Sequence, residues 1–126
     1  MLYKVADGLR DVLFIDLNVP VSIDFLDVRP NKSSNKDKII DKSVMIEPIG
    51  ETPYTYQTNA CVFNMYVMAK NQTDVLFLSD EVRNTLIALD FLRGVGKVRL
   101  LEYPIFKKFQ ISDDVFIYHA EVRIEH

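Results

Sequence analysis

Few residues in this sequence combine type and spacing in a way that does chemistry. His119 and Glu121 stand two apart, and His119-Ala120-Glu121 has the H-x-E spacing by which zinc deaminases pair a metal ligand with a general acid–base. That chemistry also needs a P-C-x-x-C pair, and Cys61 is the single cysteine. A solvated strand face is therefore expected for His119 and Glu121. His126 closes the chain and is expected to be mobile. Asp24 with Asp27, and Asp113 with Asp114, suit turns and strand ends better than a carboxylate dyad. Gly94-Val95-Gly96 follows a helical pattern instead of preceding one and lacks a third glycine, so it reads as a helix cap and turn, not a phosphate cradle. No nucleophile stands beside a base, and no nucleotide-binding signature occurs. No enzyme, catalytic residue, metal or cofactor is expected.

The elements that must position these residues centre on Thr58 to Glu102. Ala60 to Ala69 reads as a long strand, apolar on both faces. Cys61, Phe63, Met65 and Val67 point one way; Val62, Tyr66 and Met68 point the other, interrupted by Asn64. Asn71 or Thr73 then offers an N-cap, and Asp74 puts negative charge in the first helical turn. Val75, Leu78, Val82, Leu86 and Leu89 recur at helical spacing, with Phe77 and Ile87 beside the stripe and Asp80, Glu81, Arg83, Asn84 and Asp90 on the wet side. Burying five such residues contributes on the order of 10 kcal/mol as an upper estimate, comparable to the net stability of a whole domain, about 5–15 kcal/mol. This helix on the long strand is the expected core. Gly94 is available as its C-cap.

Upstream, Val5, Leu9, Val12 and Leu13, broadened by Phe14, Ile15 and Leu17, predict a short helix from Tyr3 to about Leu17, ended by Asn18-Val19-Pro20. Gly8 weakens it by roughly 1 kcal/mol relative to Ala. Strands follow at Val21 to about Val28 and Val44 to Ile49. Downstream, Val98 to Tyr103 and Ile105 to Ile111 read as strands on either side of Pro104. Ser112-Asp113-Asp114 turns the chain into a last strand, Val115 to Ile124. Its Phe116, Tyr118, Ala120, Val122 and Ile124 face the core, and its His119, Glu121, Arg123 and Glu125 face away. The expected fold is α+β, in the order α-β-β-β-α-β-β-β, as a mostly antiparallel sheet with a central helix and a short N-terminal helix packed on one face. Phe63, Met65, Val67, Val75, Leu78, Val82, Leu86, Leu89, Phe116, Tyr118, Val122 and Ile124 form its expected core.

At 126 residues the chain is long enough for one domain with a real core and no staples. Its net charge of −3 gives no sign of a general nucleic-acid binder. A lone thiol inside an apolar strand fits a reducing compartment. No apolar run approaches the roughly 20 residues of a membrane helix, and the start lacks a signal peptide's features, so a soluble cytoplasmic protein is expected. The charge is uneven. Arg29, Lys32, Lys36, Lys38 and Lys42 against Asp37 and Asp41 give the segment from Arg29 to Lys42 a charge of +3, leaving −6 for the remainder. That segment reads as a long exposed loop, a length usually functional or disordered. A second polar connection, Glu51 to Asn59, carries Tyr54 and Tyr56.

Val62-Phe63-Asn64-Met65-Tyr66-Val67-Met68-Ala69-Lys70, running into Asp74-Val75-Leu76-Phe77-Leu78-Ser79-Asp80-Glu81-Val82-Arg83-Asn84-Thr85-Leu86 and closing on Tyr118-His119-Ala120-Glu121-Val122-Arg123-Ile124, resembles the tail-completion or tail-terminator proteins of long-tailed bacteriophages, a group that includes related minor structural proteins of the neck. The resemblance implies a single domain over residues 1–126 and a structural role. Family members form rings, commonly six-fold, that cap the finished tail tube and dock it onto the head connector. It implies a homo-oligomer, partners in the tube and connector or adaptor proteins, no membrane, and a place in the virion after assembly in the host cytoplasm. A ring would cover the second face of the Ala60–Ala69 strand and pair the strand edges; the alternative is a sheet that curls over its own second face. Arg29, Lys32, Lys36, Lys38, Lys42, Tyr54 and Tyr56 are the candidate interface residues. The lysine loop either lines a lumen through which DNA passes or grips an acidic surface on a neighbouring subunit, the second being favoured. Rival readings are a small nucleic-acid-binding module using the same loop and an α+β domain holding a small ligand.

Overall fold

Residues suited to a pleated, covered surface fill Asn59–Ala69, which forms the middle strand of the main sheet. The computed structural model describes residues 1–23, 41–111 and 115–126. In chain order the elements are α1 (Leu2–Leu17), β1 (Val21–Ile23), β2 (Ser43–Pro53), β3 (Asn59–Ala69), α2 (Gln72–Ile87), β4 (Phe91–Leu92), β5 (Gly96–Lys97), β6 (Arg99–Leu100), β7 (Lys107–Ile111) and β8 (Phe116–Glu125). The architecture is α+β. Six strands run β1-β2-β3-β8-β6 with β7 also on β8, while β4 and β5 form a separate ribbon. β1 lies parallel to β2, and the other ladders are antiparallel.

Both helices cover the same face of the sheet. Val5, Ala6, Leu9 and Leu13 of α1, and Val75, Leu78, Val82 and Leu86 of α2, join Val44, Ile46, Cys61, Phe63, Met65, Val67, Tyr118, Val122 and Ile124 in one buried cluster, with Leu89 and Phe116 partly buried against it. Helix α1 is as long as α2, at 16 residues. It stops at Asn18, whose left-handed backbone (φ 53) lets its N–H reach the Phe14 carbonyl before Pro20. Phe14, Ile15 and Phe77 do not widen the buried stripes; all three are exposed.

Helix α2 begins where Asn71 Oδ1 accepts the Asp74 N–H at 2.8 Å. It ends earlier than its pattern predicts, at Ile87, and its C-cap is Ala88 in a right-handed conformation. Gly94 (φ +82) and Gly96 (φ +110) instead turn the β4–β5 ribbon. The ribbon seats Leu92, fully buried, against α1, where a Cβ at Gly8 would lie 3.1 Å from the Leu92 Cβ. The Val98–Tyr103 strand shrinks to Arg99–Leu100.

The second face of β3 is not left bare. Met45, Tyr66, Met68, Val115 and Ile117 form a second buried cluster, and Phe109, at the β7 register shift, packs its ring edge on Tyr66 with centroids 5.3 Å apart. The expectation that this face awaits an outside cover is corrected. On one side of the sheet β8 is flanked by β6, two residues long, and by β7, five residues long. The strand expected to reach Val28 is described as far as Ile23; Asp24, Asp27, Asp113, Asp114 and the segment from Arg29 to Lys38 lie outside the described residues.

Candidate functional site

The His119–Glu121 pair does not converge. Glu121 turns to Arg123, 2.8 Å away, while His119 Nε2 lies 2.8 Å from Asn64 Oδ1. The Asn64 amide donates in turn to Glu47 Oε1 at 3.0 Å. With its Oδ1 left to accept, Asn64 fixes His119 Nε2 as the donor. The imidazole is tilted on Tyr66, centroids 5.0 Å apart. Burial lowers the His119 pKa below its ordinary value, against the upward pull of Glu47 and Glu121. Burial also raises the Tyr66 pKa, helped by Glu47. The group is a satisfied polar row across β2, β3 and β8.

A different cluster forms at the end of the sheet where β3 begins. Pro48 pairs with Phe63 and Gly50 with Val62, so Ile49 is the extra residue of a bulge. The bulge changes which side chains face inward and sets Glu51 opposite Cys61. Past β8, His126 exchanges two backbone hydrogen bonds with Asn59, 3.1 and 3.0 Å. Its Nε2 lies 3.2 Å from Glu51 Oε2, the oxygen that also accepts from Asn59 Nδ2 at 3.0 Å. The Glu51 carboxylate, Cys61 thiol and His126 imidazole offer atoms that all lie within 4.8 Å of one another. Burial, then the Glu51 carboxylate, pushes the Cys61 thiol up to about 11. His126 is held, its side chain only 9% exposed.

The candidate interface residues fall on two structures. Tyr54 and Tyr56 occupy the turn between β2 and β3, with Tyr56 95% exposed. That turn is rigidly made. The Tyr54 and Thr55 N–H groups donate to the Thr58 carbonyl at 3.0 and 3.1 Å. The Thr55 and Thr58 hydroxyls meet at 2.6 Å, and Thr58 Oγ1 donates to Glu125 at 2.9 Å. Lys42 is exposed in a left-handed conformation (φ 58) at the entry to β2. Arg29, Lys32, Lys36 and Lys38 are outside the described residues.

A groove of mixed lining was not anticipated. A groove of about 450 Å³ separates α2 from the Pro104–Phe106 segment, lined by Leu76, Ser79, Asp80, Arg83, Ile105 and Tyr118 among others. Ile105 is 70% exposed and Phe77 65%. The Arg83 guanidinium lies over the Tyr103 ring, 5.9 Å from its centroid. A sequence signal was available outside the stripe: Leu76 and Phe77 are apolar residues on the side of α2 turned from the core.

No protein-family model and no curated protein matches the chain. Among solved structures, a chain described as "Virion of native gene transfer agent (GTA) particle" is similar at 14% identity with a TM-score of 0.49, covering 100% of this chain and 95% of that one.

Proposed function

We propose that this chain is a structural assembly protein of a bacteriophage-type virion, one domain that closes into a ring at the neck, terminates the tail tube and joins it to the head connector. The observation that carries the reading is the set of large hydrophobic side chains left exposed on the single chain, Tyr54 and Tyr56 at the β2–β3 turn and Phe77, Tyr103 and Ile105 beside α2. Aromatic and aliphatic side chains held exposed at one place are what a partner's surface can cover. The resemblance of the β3–α2 run and of β8 to tail-completion proteins supplies the kind of partner.

A ring is built from heterologous contacts, in which one patch meets a different patch on the next copy. The turn and the groove are offered as such a pair: a hydrogen-bonded tip with two tyrosines, and a furrow lined by Leu76, Ile105 and Tyr118 together with Ser79, Asp80 and Arg83. The basic segment that ends at Lys42 supplies charge for an acidic neighbouring surface, the rest of the chain having a net −6. A second reading is a small ligand in the groove, where Asp80 and Arg83 offer opposite charges to orient it.

Cysteines at Tyr56 and Ile105 distinguish the two, because the native Cys61 is buried. Under mild oxidation, Tyr56→Cys/Ile105→Cys protein is expected to give a ladder of linked copies, and either single variant at most a dimer. A double variant that stays monomeric contradicts the tip-to-groove contact.

A further inference from the structure

We propose that Glu51, Cys61 and His126 bind a borderline divalent cation of the zinc type at the end of the sheet, an inference that does not depend on the assembly reading. Thiolate, imidazole and carboxylate together are the donor set that selects such ions over magnesium or calcium, which prefer oxygen alone.

The three donors come from three neighbouring stretches of one ladder. Glu51 on β2 faces Cys61 on β3, Cys61 faces Ile124 on β8, and His126 lies two residues beyond on the same face. Their spacing is therefore set by strand separation, not by flexible loops. Zinc holds sulfur at about 2.3 Å and nitrogen or oxygen at about 2.0–2.2 Å, so neighbouring donors around a tetrahedral ion stand roughly 3.3–3.7 Å apart. Here all lie within 4.8 Å, with Glu51 and His126 already at 3.2 Å. The Glu51 side chain, 24% exposed, has solvent on one side, so a small adjustment of the three side chains would bring the donors to zinc distances.

Asn59 supports the arrangement from outside the donor set. Its amide donates to Glu51 Oε2, and its backbone pairs with that of His126. Such supporting hydrogen bonds fix the orientation of metal ligands. Binding releases one proton, from the Cys61 thiol, while the imidazole proton that Nε2 donates to Glu51 shifts to Nδ1 and frees the Nε2 lone pair for the ion. The bulge at Ile49 makes the site possible: without the extra residue, Glu51 would turn to the opposite face.

Titration of untagged, metal-free protein with Co²⁺ tests the site through the sulfur-to-cobalt charge-transfer absorption. The expected result is a saturable band at one ion per chain that Zn²⁺ abolishes by displacement. The band should be absent in Cys61→Ser. Affinity should fall at least about 10-fold in Glu51→Gln and in His126→Gln, the lower bound seen even for supporting groups, with circular dichroism unchanged. No band when Co²⁺ exceeds protein, or equal affinity in the two polar variants, overturns the proposal.

Discussion

His119 and Cys61 show how far a side chain's chemistry depends on what stands across the ladder from it. Because burial lowers the His119 pKa in the folded state, the unfolded chain binds that proton more readily. The stability associated with this group is therefore complete above the unfolded value of about 6.5 and is lost as pH falls through the lower, folded value. Glu47 and Glu121 oppose the shift. The expected outcome is that His119→Gln has a flatter fall in urea midpoint between about pH 7 and about pH 5 than the native protein. The same slope in both removes His119 as its source. In the sequence, His119-Ala120-Glu121 was legible as a strand face, and Asn64 as the polar break in β3, but not their union into one row. Cys61 and His126 are 65 positions apart, and their meeting depends on strand order, which local pattern does not encode.

At the scale of elements, period and caps carried the helices and the long strands. The Asn71 cap, the Asn18-Val19-Pro20 stop and the two-residue alternation of β8 each have a local physical cause and appear where that cause acts. What the pattern missed has causes elsewhere in the fold. Gly94 looked like a helix cap, yet α2 stops at Ile87 and the glycine serves the β4–β5 turn. The bulge at Ile49 has only Pro48 and Gly50 as a local sign. Gly8, a weak point in α1 by propensity, has its reason in Leu92 pressed against it. In a free helix interior, Gly8→Ala would gain roughly 1 kcal/mol. Here a Cβ meets Leu92 at 3.1 Å, so that gain is expected to be absent and Gly8→Val to be destabilising. Denaturant midpoints check both, and a full gain in Gly8→Ala contradicts the contact.

For the whole molecule, the surplus of apolar surface is real but lies elsewhere than strand alternation indicated. Tyr66 and Met68, which the pattern left needing a cover, are buried within the chain, whereas Phe77, Tyr103 and Ile105 are exposed. Amphipathic periodicity tells which residues share a face; it does not tell which face a later segment of chain will reach. The charge asymmetry belongs to this scale as well. Changing Lys32, Lys36, Lys38 and Lys42 to Glu is expected to impair assembly while circular dichroism and thermal midpoint stay near native, and normal particle yield would remove that segment from the interface. The most direct test of the ring is the mass of the purified protein in solution by light scattering across a concentration series. A closed ring predicts a discrete species several times the 14.6 kDa chain, six-fold in the arrangement common to the resembling family. A 14.6 kDa particle at every concentration, with nothing larger, would contradict it.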